Sequence, residues 1–147
     1  MPQDVKKVLV IEDNADWREL LSMTVRRLGH DVILAGTGRE GVAQAFHARP
    51  DLILMDIGLP EMAGDEVTAR IKANPTTRHI PIIIQTAYGL GPNATRAMEA
   101  GAEEMMHKPI SILQIQKVLI KYLSGDQKTA GQAPAESVQS SGDSSRF

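Results

Sequence analysis

Glu12 with Asp13, Asp56, and Thr86 with Lys108 are the residues of this chain whose types and spacing could do chemistry together. Each group stands where a short apolar run gives way to a polar turn. If those runs are parallel strands, the groups open onto one edge of one sheet, and three carboxylates, a hydroxyl and an ammonium meet in one pocket. Carboxylates brought within about 4 Å of each other repel by roughly 4 kcal/mol per pair at an effective dielectric near 20, so such a pocket needs a cation. Oxygen donors with room for water suit Mg2+, which takes one or two protein carboxylates and completes its shell with phosphate oxygens. No carboxylate-rich loop of the EF-hand kind favours calcium. Asp56 follows four apolar residues, so it should end a buried strand with its carboxylate on the pocket floor. There it can act as a nucleophile toward phosphorus once a metal offsets its charge. Thr86 can donate its hydroxyl to a phosphoryl oxygen, and Lys108 can place a point charge on the same group. The bond from Lys108 to Pro109 is a candidate for the cis form. Taken singly, each has a plainer reading: a solvated helix start for Glu12-Asp13, a turn cap for Asp56, strand punctuation for Thr86, a snorkelling surface residue for Lys108.

The elements that must position these groups are legible in the hydropathy pattern. Val8-Leu9-Val10-Ile11, Val32-Ile33-Leu34-Ala35, Leu52-Ile53-Leu54-Met55 and Ile82-Ile83-Ile84 are continuous apolar runs, as expected of strands buried on both faces. Glu104-Met105-Met106-His107 is a weaker fifth. Between the runs, Trp17, Leu20, Leu21, Val25 and Leu28 follow a period near 3.6 and stop at Gly29. Gly38 to His47, Gly64 to Ala73 and Asn93 to Ala100 are shorter helical segments, and Ile112, Ile115, Leu119 and Leu123 mark a fifth helix with Ser111 to cap it. Five strand-helix repeats predict a parallel, doubly wound α/β sheet with right-handed crossovers. Such sheets bind ligands at the carboxyl ends of their strands, where the strand order reverses.

Composition narrows the function further. The chain has 147 residues, 42% of them hydrophobic and 3% aromatic, which fits one domain with an aliphatic core. Its net charge of −2, with basic residues spread along the chain, speaks against direct nucleic-acid binding. The absence of cysteine excludes a disulfide framework, a cysteine zinc site and a thiol nucleophile. Neither a signal peptide nor an apolar stretch of membrane-spanning length is present, so a soluble, cytoplasmic protein is expected. The domain is expected over residues 1–123. Residues 124–147, rich in Gly, Ser, Gln, Ala and Pro, are expected to be a disordered tail. The four histidines show no ligand spacing, and Trp17 reads as a half-buried packing residue. Arg18 with Arg26 and Arg27 reads as a solvated helix face. Met98, Met105 and Met106 read as a cluster near the fourth helix and fifth strand.

Val-Leu-Val-Ile-Glu12-Asp13-Asn14, Leu-Ile-Leu-Met-Asp56-Ile-Gly-Leu-Pro60, Gln85-Thr86-Ala87 and Gly101-Ala-Glu-Glu-Met-Met-His-Lys108-Pro109 together resemble the receiver domain of two-component response regulators. The resemblance spans Lys6 to about Leu123. It implies a five-stranded sheet of flavodoxin-like order 2-1-3-4-5 flanked by five helices. It also implies that Asp56 accepts a phosphoryl group from the phosphohistidine of a sensor kinase or phosphotransfer protein. Glu12, Asp13, Asp56 and the backbone carbonyl of Gly58 would hold Mg2+. Thr86, Ala87 and Lys108 would bind the phosphoryl group, with Pro109 cis.

One position departs from that pattern. Three residues before the lysine the family usually carries Tyr or Phe, and this chain has Met105, a flexible thioether without ring or hydroxyl. Tyr88 is the alternative switch residue. The resemblance implies a signalling protein, not an enzyme, that acts through an unknown downstream protein in a phosphorelay. A homodimer through the fourth helix, fifth strand and fifth helix is a further expectation. The alternative is a pseudo-receiver, a protein-binding module of the same fold that no longer takes phosphate. An aspartate-nucleophile phosphatase is disfavoured, because its general-acid Asp would fall at Gly58.

Overall fold

The computed structural model describes residues 5–87 and 91–124. The element order is β1 (Lys7–Ile11), α1 (Ala15–Arg27), β2 (Asp31–Ala35), α2 (Gly38–Ala48), β3 (Leu52–Asp56), α3 (Gly64–Ala73), β4 (Ile82–Thr86), α4 (Pro92–Ala100), β5 (Glu104–His107) and α5 (Ile112–Leu123). All five strands pair in parallel, in the order β2-β1-β3-β4-β5. The chain leaves β1 toward β2 on one side and returns to β3 on the other. The crevice between the carboxyl ends of β1 and β3 is therefore the switch point.

Alternation along the strands divides the core in two. Leu9, Ile11, Ile53, Met55, Ile82 and Ile84 face a layer formed by α2, α3 and α4. Val8, Val10, Leu52, Leu54 and Ile83 face α1 and α5, where Leu21, Val25, Ile115 and Leu119 are buried. Burial on both faces, expected of every apolar run, holds for β1, β3 and β4 only. Strands β2 and β5 lie at the two edges, each with only one buried residue, because each has a neighbour on one side only. Met98 and Met105 pack on the α2–α4 layer whereas Met106 is buried against α5, so the three methionines do not form one cluster. Adjacent strand residues point to opposite faces.

Local chemistry sets the helix ends. Asn14 and Thr37 accept the backbone N–H of Trp17 and Glu40 to cap α1 and α2, and Ser111 forms a reciprocal capping box with Gln114 at α5. Gly29 and Gly101 follow α1 and α4 with φ of 91° and 121°, which a side chain would resist. The bond from Lys108 to Pro109 is cis. His30 is buried and accepts the Lys6 backbone N–H at Nδ1, a structural role. Burial, with Lys6 beside it, holds its pKa below the usual histidine value.

Gly64 opens α3 directly beneath the loop after Asp56. A Cβ there would lie 2.9 Å from the Ile57 Cα and 3.2 Å from the Asp56 carbonyl oxygen. Gly64→Ala should therefore displace that loop and destabilise the fold by about 1 to 3 kcal/mol in urea unfolding. An unchanged midpoint would mean that the loop yields without cost.

Candidate functional site

Three loops deliver the site. Glu12 and Asp13 follow β1, Asp56 is the last residue of β3, and Lys108 follows β5. Carboxylate oxygens of Glu12, Asp13 and Asp56 all lie within 4.8 Å of one another. Lys108 Nζ stands 3.5 Å from Asp56 Oδ1 and 3.9 Å from Glu12 Oε1. Thr86 ends β4 beside them, 3% exposed, its carbonyl accepting the Lys108 N–H at 2.8 Å. Of the groups expected to converge, the three carboxylates and the Lys108 ammonium lie together, and Thr86 adjoins them through its backbone. Gly58 is exposed, and its N–H lies 3.4 Å from Asp56 Oδ1. Ala87 is exposed at the end of β4, and Met105 is half-buried on β5. Tyr88, the alternative switch residue, lies outside the described residues, as does the expected tail beyond Ser124.

Electrostatics make Glu12 the strained member. It is 1% exposed; Oε2 accepts the Asn14 N–H at 3.0 Å, while Oε1 has no hydrogen-bond partner among the described residues. Burial, reinforced by the Asp56 carboxylate, pushes its pKa up to about 7, although the Asn14 N–H and Lys108 pull the other way. A buried carboxylate oxygen without a hydrogen-bond partner, beside two more carboxylates and the Lys108 ammonium, fits a hard divalent cation bound by oxygen.

Two contacts were not legible in the sequence. Arg18, expected on a solvated face, donates from Nη1 to the Glu12 carbonyl at 2.8 Å and so ties α1 to the backbone of the acidic pair. Its position one turn into the helix was the available signal, since a long arginine there can reach back over the preceding loop. Trp17 is more than a packing residue. Its Nε1–H donates to Gln85 Oε1 at 2.7 Å, and it lines a cavity of about 310 Å3 with Asn14, Lys108, Pro109 and Ile110. Gln85 itself is fully buried, and its Nε2 has no hydrogen-bond partner among the described residues. An unmet buried donor costs about 1 to 3 kcal/mol.

An acidic trio at the switch point of a 2-1-3-4-5 sheet, faced by a lysine, is the arrangement expected of a phosphorelay receiver. The response regulator receiver domain model matches residues 8–120, and the chain belongs to that family. Among curated proteins it is 37% identical over 118 residues to the polar-differentiation response regulator DivK of Brucella anthropi, covering 80% of this chain and 96% of that protein. The corresponding protein of Brucella ovis is 36% identical over the same length and coverage. Among solved structures, chemotaxis response regulator CheY4 of Vibrio cholerae superposes with a TM-score of 0.76 at 28% identity, covering 82% of this chain and all of that one. The receiver domain of a Pseudomonas aeruginosa sensor histidine kinase, solved with a magnesium ion coordinated in its active-site cleft, also gives 0.76, at 30% identity and 83% and 100% coverage. The protein is thus a receiver of two-component phosphorelay signalling. No helix among the described residues is long and apolar enough to cross a membrane.

The raised Glu12 pKa has a measurable consequence. Between the ordinary value of 4.5 and about 7, the folded metal-free protein keeps a proton on Glu12 that the unfolded chain has released. Stability therefore falls as pH rises through that window. In EDTA the parent should lose up to roughly 3 kcal/mol more than Glu12→Gln between about pH 5 and pH 8. Parallel stability curves for the two proteins would contradict this assignment.

Proposed function

We propose that Asp56 is the phosphoacceptor and that Glu12, Asp13, Asp56 and the Gly58 carbonyl hold the Mg2+ that the reaction requires. The observation that carries this reading is the meeting of three carboxylates within 4.8 Å, with Lys108 Nζ 3.5 Å from Asp56 Oδ1. When bound, Mg2+ neutralises the carboxylates and draws charge from the phosphoryl oxygens. An Asp56 carboxylate oxygen attacks phosphorus in line. The O–P bond forms as the P–N bond of the donor phosphohistidine breaks, and the imidazole leaves with the bonding pair on nitrogen. Lys108 pairs with a phosphoryl oxygen, and the Thr86 hydroxyl and Ala87 N–H donate to the others. Burial of Asp56 keeps bulk water from the acyl phosphate.

The donor is a sensor histidine kinase or a histidine phosphotransfer protein, and the protein works in the cytoplasm as a relay rather than as a turnover enzyme. Phosphorylation adds charge at Asp56 and biases the Thr86 loop and Met105, changing affinity for a downstream protein. The α4, β5 and α5 face carries that interaction and is the surface through which two copies would pair. In support, Glu104 of β5 hydrogen-bonds Lys121 and Tyr122 of α5, which ties β5 to α5. The complete set of acid, hydroxyl and amine groups disfavours a phosphorylation-independent binding module.

Incubation with Mg2+ and a small acyl phosphate should add the mass of one phosphoryl group to the parent and none to Asp56→Asn. No gain in the parent would instead support the pseudo-receiver, and an equal gain in the variant would move the acceptor elsewhere.

A further inference from the structure

Gln85 is the polar exception in β4. It follows Ile82, Ile83 and Ile84, is fully buried, and by strand alternation shares the α1–α5 face with Ile83. Apolar residues would fill that place without leaving Nε2 unmet. The amide cannot be turned to relieve it, because the indole N–H of Trp17 requires an acceptor, and Oε1 supplies one at 2.7 Å. Two further contacts place Gln85 beside the phosphoryl site. It is the register partner of Asp56, and its carbonyl accepts the N–H of Ile57, the residue after Asp56, at 2.9 Å. Thr86 is the next residue in the strand.

At the other end of the bond, Trp17 stands one turn into α1, and its backbone N–H is held by the Asn14 cap. Its indole lines the cavity shared with Lys108, Pro109 and Ile110. One part-buried, directional hydrogen bond thus joins the strand beside Asp56 to the helix whose Trp17 lines the cavity.

We infer that the Gln85–Trp17 hydrogen bond couples the phosphoryl site to α1. Gln85 acts as a positioning residue that transmits displacement of the β4 end to the Trp17 wall of the cavity. The inference rests on phosphorylation at Asp56 as proposed above. A phosphoryl group there adds charge and three acceptor oxygens next to the end of β4. Any resulting shift of the Gln85–Thr86 backbone moves Oε1, and the indole must follow or lose its partner. The cavity wall beside Lys108 then differs between the two states. This route leaves from the α1 side of the sheet, away from Met105, which packs on the opposite layer.

Trp17 is the only tryptophan of the chain, so its emission reports this wall directly. With Mg2+ and a small acyl phosphate, the parent should show an emission shift that tracks the mass gain. Gln85→Met, which keeps the length of the side chain but removes the acceptor, should gain the same mass and lose most of the shift. Trp17→Phe keeps a ring without the N–H and guards against misfolding of the first variant. In it, amide hydrogen exchange of α1 should no longer respond to phosphorylation, whereas that of the parent should. A full emission shift in Gln85→Met, an unaltered α1 exchange response in Trp17→Phe, or a phosphorylated parent without either response would overturn the coupling. Absence of mass gain in the parent would instead overturn the phosphoacceptor assignment, and the coupling with it.

Discussion

Crowding of like charge at the carboxyl edge of the sheet is the constraint on which the rest of this structure depends. Glu12, Asp13 and Asp56 share a volume less than 4.8 Å across with one lysine to oppose them, and Glu12 is almost wholly removed from water. Left alone, the buried carboxyl answers by holding its proton to about pH 7. An oxygen-seeking divalent cation answers better, because it pairs with all three groups at once and leaves coordination positions for phosphoryl oxygens. The fold stabilises a site that is unfavourable in isolation, which is the usual condition of a site built to bind.

The sheet makes that crowding rigid. β3, and β1 beyond the exposed Lys7, are buried and lie side by side in parallel register, so their last residues are held together by backbone pairing and not by side-chain contacts that could relax. Gly64 lets α3 start close under Asp56, and Arg18 ties the Glu12 carbonyl to α1. Lys108 arrives from the edge strand β5, whose backbone is itself tied to Thr86. The acidic floor is therefore held in place by backbone pairing below and by these ties around it.

Much of this was legible in the sequence. Continuous aliphatic runs ending in Glu12, Asp56 and Thr86 gave strand positions and site together, because β1, β3 and β4 are buried on both faces and carry no alternation to mislead. The edge strands were harder. The run from Val32 to Ala35 reads as interior, yet β2 has no neighbour on one side, and no local pattern records which strand ends the sheet. Arg18 and the Gln85–Trp17 pair escaped for a different reason. Their partners lie across the fold, 68 residues apart in the second case, and a buried glutamine or a reaching arginine is visible only once packing fixes what surrounds it.

The proposed site requires one cation lying among these three carboxylates. Anomalous diffraction from crystals soaked in Mn2+, an oxygen-seeking stand-in for Mg2+, locates it directly. The expected result is a single peak among the Glu12, Asp13 and Asp56 carboxylates. No peak at saturating Mn2+, or one bound only elsewhere on the molecule, would contradict it.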